Sequence, residues 1–245
     1  EKISVNLSRI LGYYLGDGTH EIDRVTFFEQ RKEVAEYYQK LIENVFGLKS
    51  DLRLRESKNY WQIRLYSRLI SQFFKLFYPE KDKTGMGRIP SLILKSSDLS
   101  LTSFIGGFFD AEGYVSKSRI AAGFHNKYLA RQMQISLLRI GIISSINEYD
   151  NRRNPYSKET RYTIAIDDLE SLKRFYASIG FCSQEKQVKL KKLISGRSNR
   201  NKVRQLTVNG REVARIIRNS DLNTRQFGCP DFFNNKKQLS KEVFK

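Results

Sequence analysis

The chain has 245 residues, 40% of them apolar and 29% charged, with 44 Lys and Arg against 26 Asp and Glu for a formal charge of +18. That length suffices for one large core or two compact units, while no apolar run approaches the roughly 20 residues of a membrane span, and Glu1 to Ser4 hold no apolar segment of the kind a secretory signal needs. Cys182 and Cys229 lack CxxC spacing and the two histidines are scattered, which excludes a convincing zinc site and fits a reducing compartment.

Taken in chain order, the pattern opens with an apolar helix ending in Ile10-Leu11-Gly12-Tyr13-Tyr14-Leu15-Gly16-Asp17-Gly18. An extended segment from Thr19 to Gln30 follows. Then comes a helix in which Val34, Tyr37, Tyr38, Leu41, Ile42 and Val45 recur at spacings of three and four, stopped by Gly47. Asp51 to Glu56 and Tyr60 to Tyr66 form a strand pair around Ser57-Lys58-Asn59, and helices cover Arg68 to Phe77 and Pro90 to Lys95. Beyond a linker at 98–100, Ile105-Gly106-Gly107-Phe108-Phe109-Asp110-Ala111-Glu112-Gly113 repeats the first motif in register, with the two acids 95 positions apart. Tyr114 to Asn126 is extended and Leu129 to Ile140 helical as far as Gly141. Ile142 to Asp150 and Thr160 to Ile166 pair around a longer loop, and helices cover Leu169 to Ile179 and Gln184 to Ile194. The organisation is α+β: half-domains at 1–97 and 101–196, each helix, two strands, helix, two strands and helices. A third stretch, 197–245, matches neither half and holds 12 Lys and Arg against 4 acids. Within it, Arg211 to Asn219 reads as a helix with Val213, Ile216 and Ile217 on one face.

The excess positive charge is the footprint of a nucleic-acid binder. A basic protein drawn to an anionic membrane is the competing reading. Here, however, the basic residues are interleaved with Tyr, Asn, Gln and Ser on predicted strands, not gathered on one amphipathic helix.

The repeated motif carries the chemistry. Gly12 and Gly16 share one helix face, and Gly107 and Ala111 the equivalent face of the second helix; small residues at this spacing let two backbones approach. Packed so, the helices end side by side and Asp17 and Glu112 emerge close together. A carboxylate at a helix C-terminus opposes the helix dipole, and two carboxylates repel each other. A divalent cation between them resolves both conflicts, and Mg2+ (or Mn2+) takes carboxylate and carbonyl oxygens, for which the Gly16 and Ala111 carbonyls are candidates. Asp110, whose counterpart is the apolar Leu15, is expected to serve packing or capping.

The two segments resemble the LAGLIDADG motifs of homing endonucleases. The first departs at its sixth position, where Leu15 replaces an acid, and the second carries Glu at the metal position. The likeness spans about residues 5–195. It implies a single chain with two pseudo-symmetric αββαββα half-domains, their antiparallel sheets forming a saddle over the major groove of double-stranded DNA at a long asymmetric target. It further implies hydrolysis of both strands with metal at Asp17 and Glu112, leaving short 3′ overhangs. An auxiliary residue near each scissile phosphate matches Gln30, then Arg31, in the first half and Asn126, then Lys127, in the second. Lys127 could offset charge on the phosphate. Arg88 or Lys83, and Lys186, are candidates for a further basic residue. Helix capping remains the alternative role for Gln30 and Asn126.

Alternation along the strands places Arg53, Arg55, Gln62, Arg64 and Tyr66 on a face suited to base edges, with Lys58 in the turn and Leu52, Leu54, Ile63 and Leu65 toward the helices. In the second half Tyr114, Ser116, Ser118, Asn147, Tyr149, Arg161 and Thr163 take the polar part, while Arg152, Arg153 and Lys158 track phosphates. Any one of these has a plain solvated role as its alternative. Arg211 and Arg215 either dock on flanking DNA, as helix-turn-helix modules do, or form a solvated face of a helix packed on the core. Two other functions suit the same scaffold: an RNA-splicing maturase and a non-catalytic DNA-binding regulator. Regulators resembling this family tend to lose the acids, and both are present here. The expected setting is inside the cell, in a prokaryotic cytoplasm or the matrix or stroma of an organelle.

Overall fold

A computed structural model of the chain describes residues 3–79, 87–149, 160–196, 210–220, 223–227 and 230–234. In the first half, α1 (Val5–Asp17) starts where the Ser4 hydroxyl accepts the Leu7 N–H at 3.1 Å, replacing one of the helix's missing intrahelical bonds. It runs without a break into β1 (Gly18–His20), which pairs with β2 (Arg24–Glu29). Next come α2 (Lys32–Phe46), ended by Gly47 at φ 66°, then β3 (Asp51–Arg55), β4 (Tyr60–Tyr66), α3 (Arg68–Phe77) and the short α4 (Ser91–Leu94). The expected β3–β4 turn is a single 3-10 turn, Glu56–Lys58, closed by Asn59 at φ 50°, a conformation asparagine tolerates.

The second half repeats this order: α5 (Asp98–Glu112), β5 (Gly113–Val115), β6 (Ile120–Phe124), α6 (Lys127–Arg139), β7 (Ser145–Tyr149), β8 (Arg161–Ile166), α7 (Leu169–Ser178) and α8 (Gln184–Ser195). Residues 98–100 are not a linker but the first turn of α5, because the Ser97 hydroxyl accepts the Ser100 N–H at 3.3 Å and so caps the helix there. The strand orders β1-β2-β4-β3 and β5-β6-β8-β7 are identical, and every pairing is antiparallel.

Each sheet has an apolar face turned to the helices. Val25, Phe27, Ile63 and Leu65 are fully buried in the first half, and Ile120, Ala122, Ile164 and Ile166 in the second, the stagger expected of strands with one face on a core. Leu54 departs from expectation: it lies on the core side of β3, paired with Trp61, yet remains 44% exposed at the end of this edge strand. Aromatic rings fill the space between α1, the first sheet and α3, with Tyr14 4.3 Å from Phe74 and 5.2 Å from Tyr78. The Tyr78 hydroxyl donates to the Leu11 carbonyl at 2.7 Å. Among the described residues no helix is long and apolar enough to cross a membrane.

Glu1–Gly196 form one compact unit and Arg197–Lys245 another. The second unit contains α9 (Gly210–Asn219) and α10 (Pro230–Phe233). On α9, Ala214 is buried, whereas Ile216, assigned from the sequence to the apolar face, is 62% exposed. Arg211 and Arg215 are exposed on the same helix.

Candidate active site and nucleic-acid interface

The two motif helices touch backbone to backbone. A Cβ on Gly12 would land on the Phe104 carbonyl, and one on Gly107 on the Arg9 carbonyl, so neither position admits a side chain. A Cβ on Gly16 would lie 2.6 Å from the Ala111 Cβ and 3.1 Å from the Glu112 Cγ. The C-terminal ends of α1 and α5 are therefore in direct contact, and Asp17 and Glu112 are the final residues of those helices. Each acid immediately precedes the first strand of its own sheet. Neither helix carries a basic residue in its last turn, so the helix itself supplies no cation against its own dipole at either carboxylate. Among the described residues no three His, Cys, Asp or Glu side chains cluster. The donor set, two carboxylates with helix-end carbonyls, fits a hard cation that completes its shell with water and substrate phosphate.

The acids are not equivalent. Asp17 is half-buried and Glu112 exposed. Asp17 lines an open cleft of about 240 Å³ with Phe28, Glu29, Gln30, Arg31, Tyr60 and Ala111. The structure thus brings Asp17, Gln30 and Ala111 together and adds a second carboxylate that the sequence reading did not single out. Glu29 Oε2 accepts from the Tyr13 hydroxyl at 2.9 Å and its Oε1 from the Arg31 N–H at 2.9 Å. Arg31 Nε in turn donates to Glu185 of the other half at 3.2 Å. Burial, followed by the charges of Glu29 and Asp17, pushes the Tyr13 phenol well above its ordinary range, so it acts as a donor.

The pairing of auxiliary residues inferred from the sequence is off by one. Gly18 faces Phe27 and Gly113 faces Ala122, and the following helices begin at Lys32 and Lys127. The 95-residue offset therefore matches Gln30 with His125, Arg31 with Asn126 and Lys32 with Lys127. His125 is an exposed residue that the sequence reading passed over. Asn126 is the N-cap of α6, its Oδ1 accepting the Leu129 N–H at 2.6 Å. The same oxygen accepts from Arg88 at 3.3 Å, and the Asn126 amide donates to the Gly87 carbonyl at 3.1 Å. Lys127 is half-exposed and 3.2 Å from Glu148. Lys83 lies outside the described residues.

One flank of the helix pair is polar. Asp110 is buried, and its carboxylate accepts from Arg9 at 2.5 Å, from the Tyr38 hydroxyl at 2.6 Å and from the Cys182 N–H at 2.9 Å. Its carbonyl takes the Lys186 ammonium at 2.7 Å. Lys186 is buried, and burial together with Arg31 lowers its pKa. On the opposite flank the counterparts are apolar: Leu15 stands for Asp110, and Phe108 stacks on Phe124 where Tyr13 meets Glu29. Asp110→Leu, which copies the apolar counterpart, leaves the Arg9 charge unpaired and is expected to cost about 3–5 kcal/mol. Adding Arg9→Met should recover the part of that loss due to the unpaired charge in a urea melt, while the Tyr38 hydroxyl and the Cys182 N–H still lack their acceptor. Equal stability of single and double variants would refute this account.

Away from the helices, each sheet shows an open face. Arg53, Arg55, Gln62, Arg64 and Tyr66 share one side of the first sheet with Thr26 and Phe28, and Lys58 ends the turn between β3 and β4. Gln62 is only 5% exposed and its amide oxygen accepts from Arg64, so it holds its neighbour as well as presenting an edge. Tyr114, Asn147, Tyr149, Arg161 and Thr163 share the corresponding side of the second sheet. Ser116 and Ser118, assigned from the sequence to that strand face, lie instead in the turn between β5 and β6. There the Ser116 hydroxyl accepts the Ser118 and Arg119 N–H groups, a local competition with strand pairing typical of serine. Arg152, Arg153 and Lys158 lie outside the described residues.

The profile of the LAGLIDADG-like domain matches residues 4–77 and 100–180. The glutamine–fructose-6-phosphate aminotransferase of Methanocaldococcus jannaschii is 30% identical over 193 residues, 77% of this chain but 17% of that protein. The replication factor C small subunit of the same organism is 29% identical over 217 residues, 86% of this chain and 11% of that protein. The chain thus spans less than a fifth of either relative, and their named activities differ. Among solved structures, a variant of the homing endonuclease I-DmoI aligns with a TM-score of 0.55 at 17% identity, covering 73% of this chain and 97% of that one. Full-length DUF199/WhiA aligns at 0.54 and 15% identity, covering 91% and 69%. With two matched motifs, two like half-domains and a profile match across both, the chain belongs to the LAGLIDADG-like domain family in a two-motif form.

Proposed function

We propose that the chain is a site-specific endonuclease that hydrolyses one phosphodiester bond in each strand of a long, asymmetric DNA duplex, leaving short 3′ overhangs. The observation that carries this reading is the pair of acids, Asp17 and Glu112, closing two helices packed through Gly12, Gly107 and Gly16. Asp17 and Glu112, with the Gly16 and Ala111 carbonyls, would hold a divalent cation, Mg2+ or Mn2+. When bound, such an ion polarises the phosphate and lowers the pKa of water. In support, I-DmoI has been solved in complex with DNA and Mn, and with DNA and Ca.

The chain's own groups then divide the work. Gln30 and Arg31 in the Asp17 cleft can orient a phosphate, with Glu29 fixing the Arg31 backbone. Lys186 is held against the end of α5 and can offset charge there. Across the helix pair, His125 and Asn126 stand at the corresponding positions, with Lys127 and Arg88 as the basic groups beside them. The open sheet faces supply base contacts, and Arg211 and Arg215 supply phosphate contacts from the second unit. Because both motifs sit in one chain, a single copy completes both sites. The test is a supercoiled plasmid carrying candidate target sites, incubated with Mg2+ or with chelator. Linear product with Mg2+ and none with chelator is expected. Cutting that survives chelation rejects the site, and binding without any cutting favours the non-catalytic reading.

A further inference from the structure

The two open sheet faces occupy equivalent positions but carry unlike chemistry. Strand register fixes the equivalence, since Phe27 with Ile63 and Leu52 in the first sheet matches Ala122 with Ile164 and Ile146 in the second. One row over, Arg64 and Thr26 in the first sheet correspond to Ala165 and Ala121 in the second. In the next row, Phe28, Gln62 and Arg53 correspond to Gly123, Thr163 and Asn147. At the strand ends Tyr60 and Arg55 correspond to Arg161 and Tyr149, an exchange that leaves the charge unchanged. Position for position, the central rows of the first face hold Thr26, Arg64, Asp51, Phe28, Gln62 and Arg53. Those of the second hold Ala121, Ala165, Ser145, Gly123, Thr163 and Asn147.

This contrast has a direct consequence for base reading. The arginine fork pairs with the two acceptors of guanine and a glutamine or asparagine amide with adenine, whereas the threonine hydroxyl bonds to either kind of edge and alanine offers only a methyl. Arg64 is already braced on Gln62, and Arg53 lies 2.5 Å from Asp51, so both guanidinium groups are pre-oriented on the face. Ala121 and Ala165 are buried and offer no polar side chain. At Gly123 a Cβ would meet nothing within 4 Å, leaving open space where the first sheet has Phe28.

We propose that the chain reads its target unequally: Arg53 and Arg64 make the first half's DNA half-site the selective one, rich in guanine contacts, while the second sheet tolerates substitutions. The proposal rests on the DNA endonuclease reading above. It is tested with a pool of duplexes randomised across the target. The full chain selects from this pool once by cutting in Mg2+ and once by binding in Ca2+, and the selected sequences are compared on the two sides of the centre. Mismatches on one side should cost about tenfold or more per pair, and those on the other far less. Arg64→Ala and Arg53→Ala should relax the selective side alone. Gly123→Gln should create a new preference on the tolerant side with folding unchanged. Equal selectivity on both sides, or a guanine preference that survives both arginine variants, overturns the proposal. If nothing is cut, the nuclease reading fails, and the bound pool still decides the asymmetry. If no sequence is enriched by binding either, both fail.

Discussion

Asp17→Asn and Glu112→Gln are each expected to abolish Mg2+-dependent linearisation of a target plasmid, slowing it about a thousandfold. Each variant keeps the shape of the side chain and removes its charge. The loss is therefore that of a cation ligand, worth several kcal/mol at the transition state, not of packing. Thermal melting and DNA affinity in Ca2+ should stay close to those of the unmodified chain. Residual nicking should differ between them. Asp17 is half-buried in a cleft with Gln30 and Arg31 and backed by Tyr13, whereas Glu112 is exposed. Linear product from either variant at the unmodified rate would remove that acid from the site. Equal nicking of the two strands by the unmodified chain would count against unequal centres.

Gly107→Val is expected to be the most damaging single change in the helix pair. Its Cβ would occupy the position of the Arg9 carbonyl, and backbone cannot swing aside as a side-chain tip can. Overpacking a well-filled core costs about 1–3 kcal/mol and more where backbone must move. The α1–α5 seam joins both halves, so a loss of about 4 kcal/mol is reasonable. At the roughly 2–4 °C per kcal/mol typical of this size, the melting point should fall by about 10 °C. Cleavage should fall further, since separating the helix ends separates the acids. Gly123→Ala is the control: it places a methyl in open space and should change stability by about 0.5 kcal/mol at most. A Gly107→Val chain that melts within a degree or two of the unmodified one would mean the seam is not close-packed.

Much of this was legible in the sequence because it is local. Helical periodicity and strand alternation are set by residues a few positions apart, and β4 at Tyr60–Tyr66 and α3 at Arg68–Phe77 fall where the pattern places them. The paired motifs were legible for a different reason: a repeat compares the chain with itself, so Gly12 and Gly107 point to the same seam. Errors arose where local signals competed. Ser97 caps α5 three residues ahead of the expected start, and Ser116 folds its strand end into a turn. The mismatch of Gln30 with Asn126 came from matching residue type, whereas strand register follows the hydrogen-bond ladder and matches Gln30 with His125.

What the sequence by itself determined is the duplicated architecture, the close-packed helix seam and the two acids that end it, because each is written in spacing within one motif and its copy. What only the tertiary structure decided is how the copies differ. Asp110 gathers Arg9, Tyr38, Cys182 and Lys186 over separations of 72 to 101 residues. Glu29 faces Tyr13 where Phe124 faces Phe108, and Arg64 stands where the second sheet has Ala165. Those partnerships depend on which residues meet across the folded seam and sheets, and distance along a chain carries no record of that.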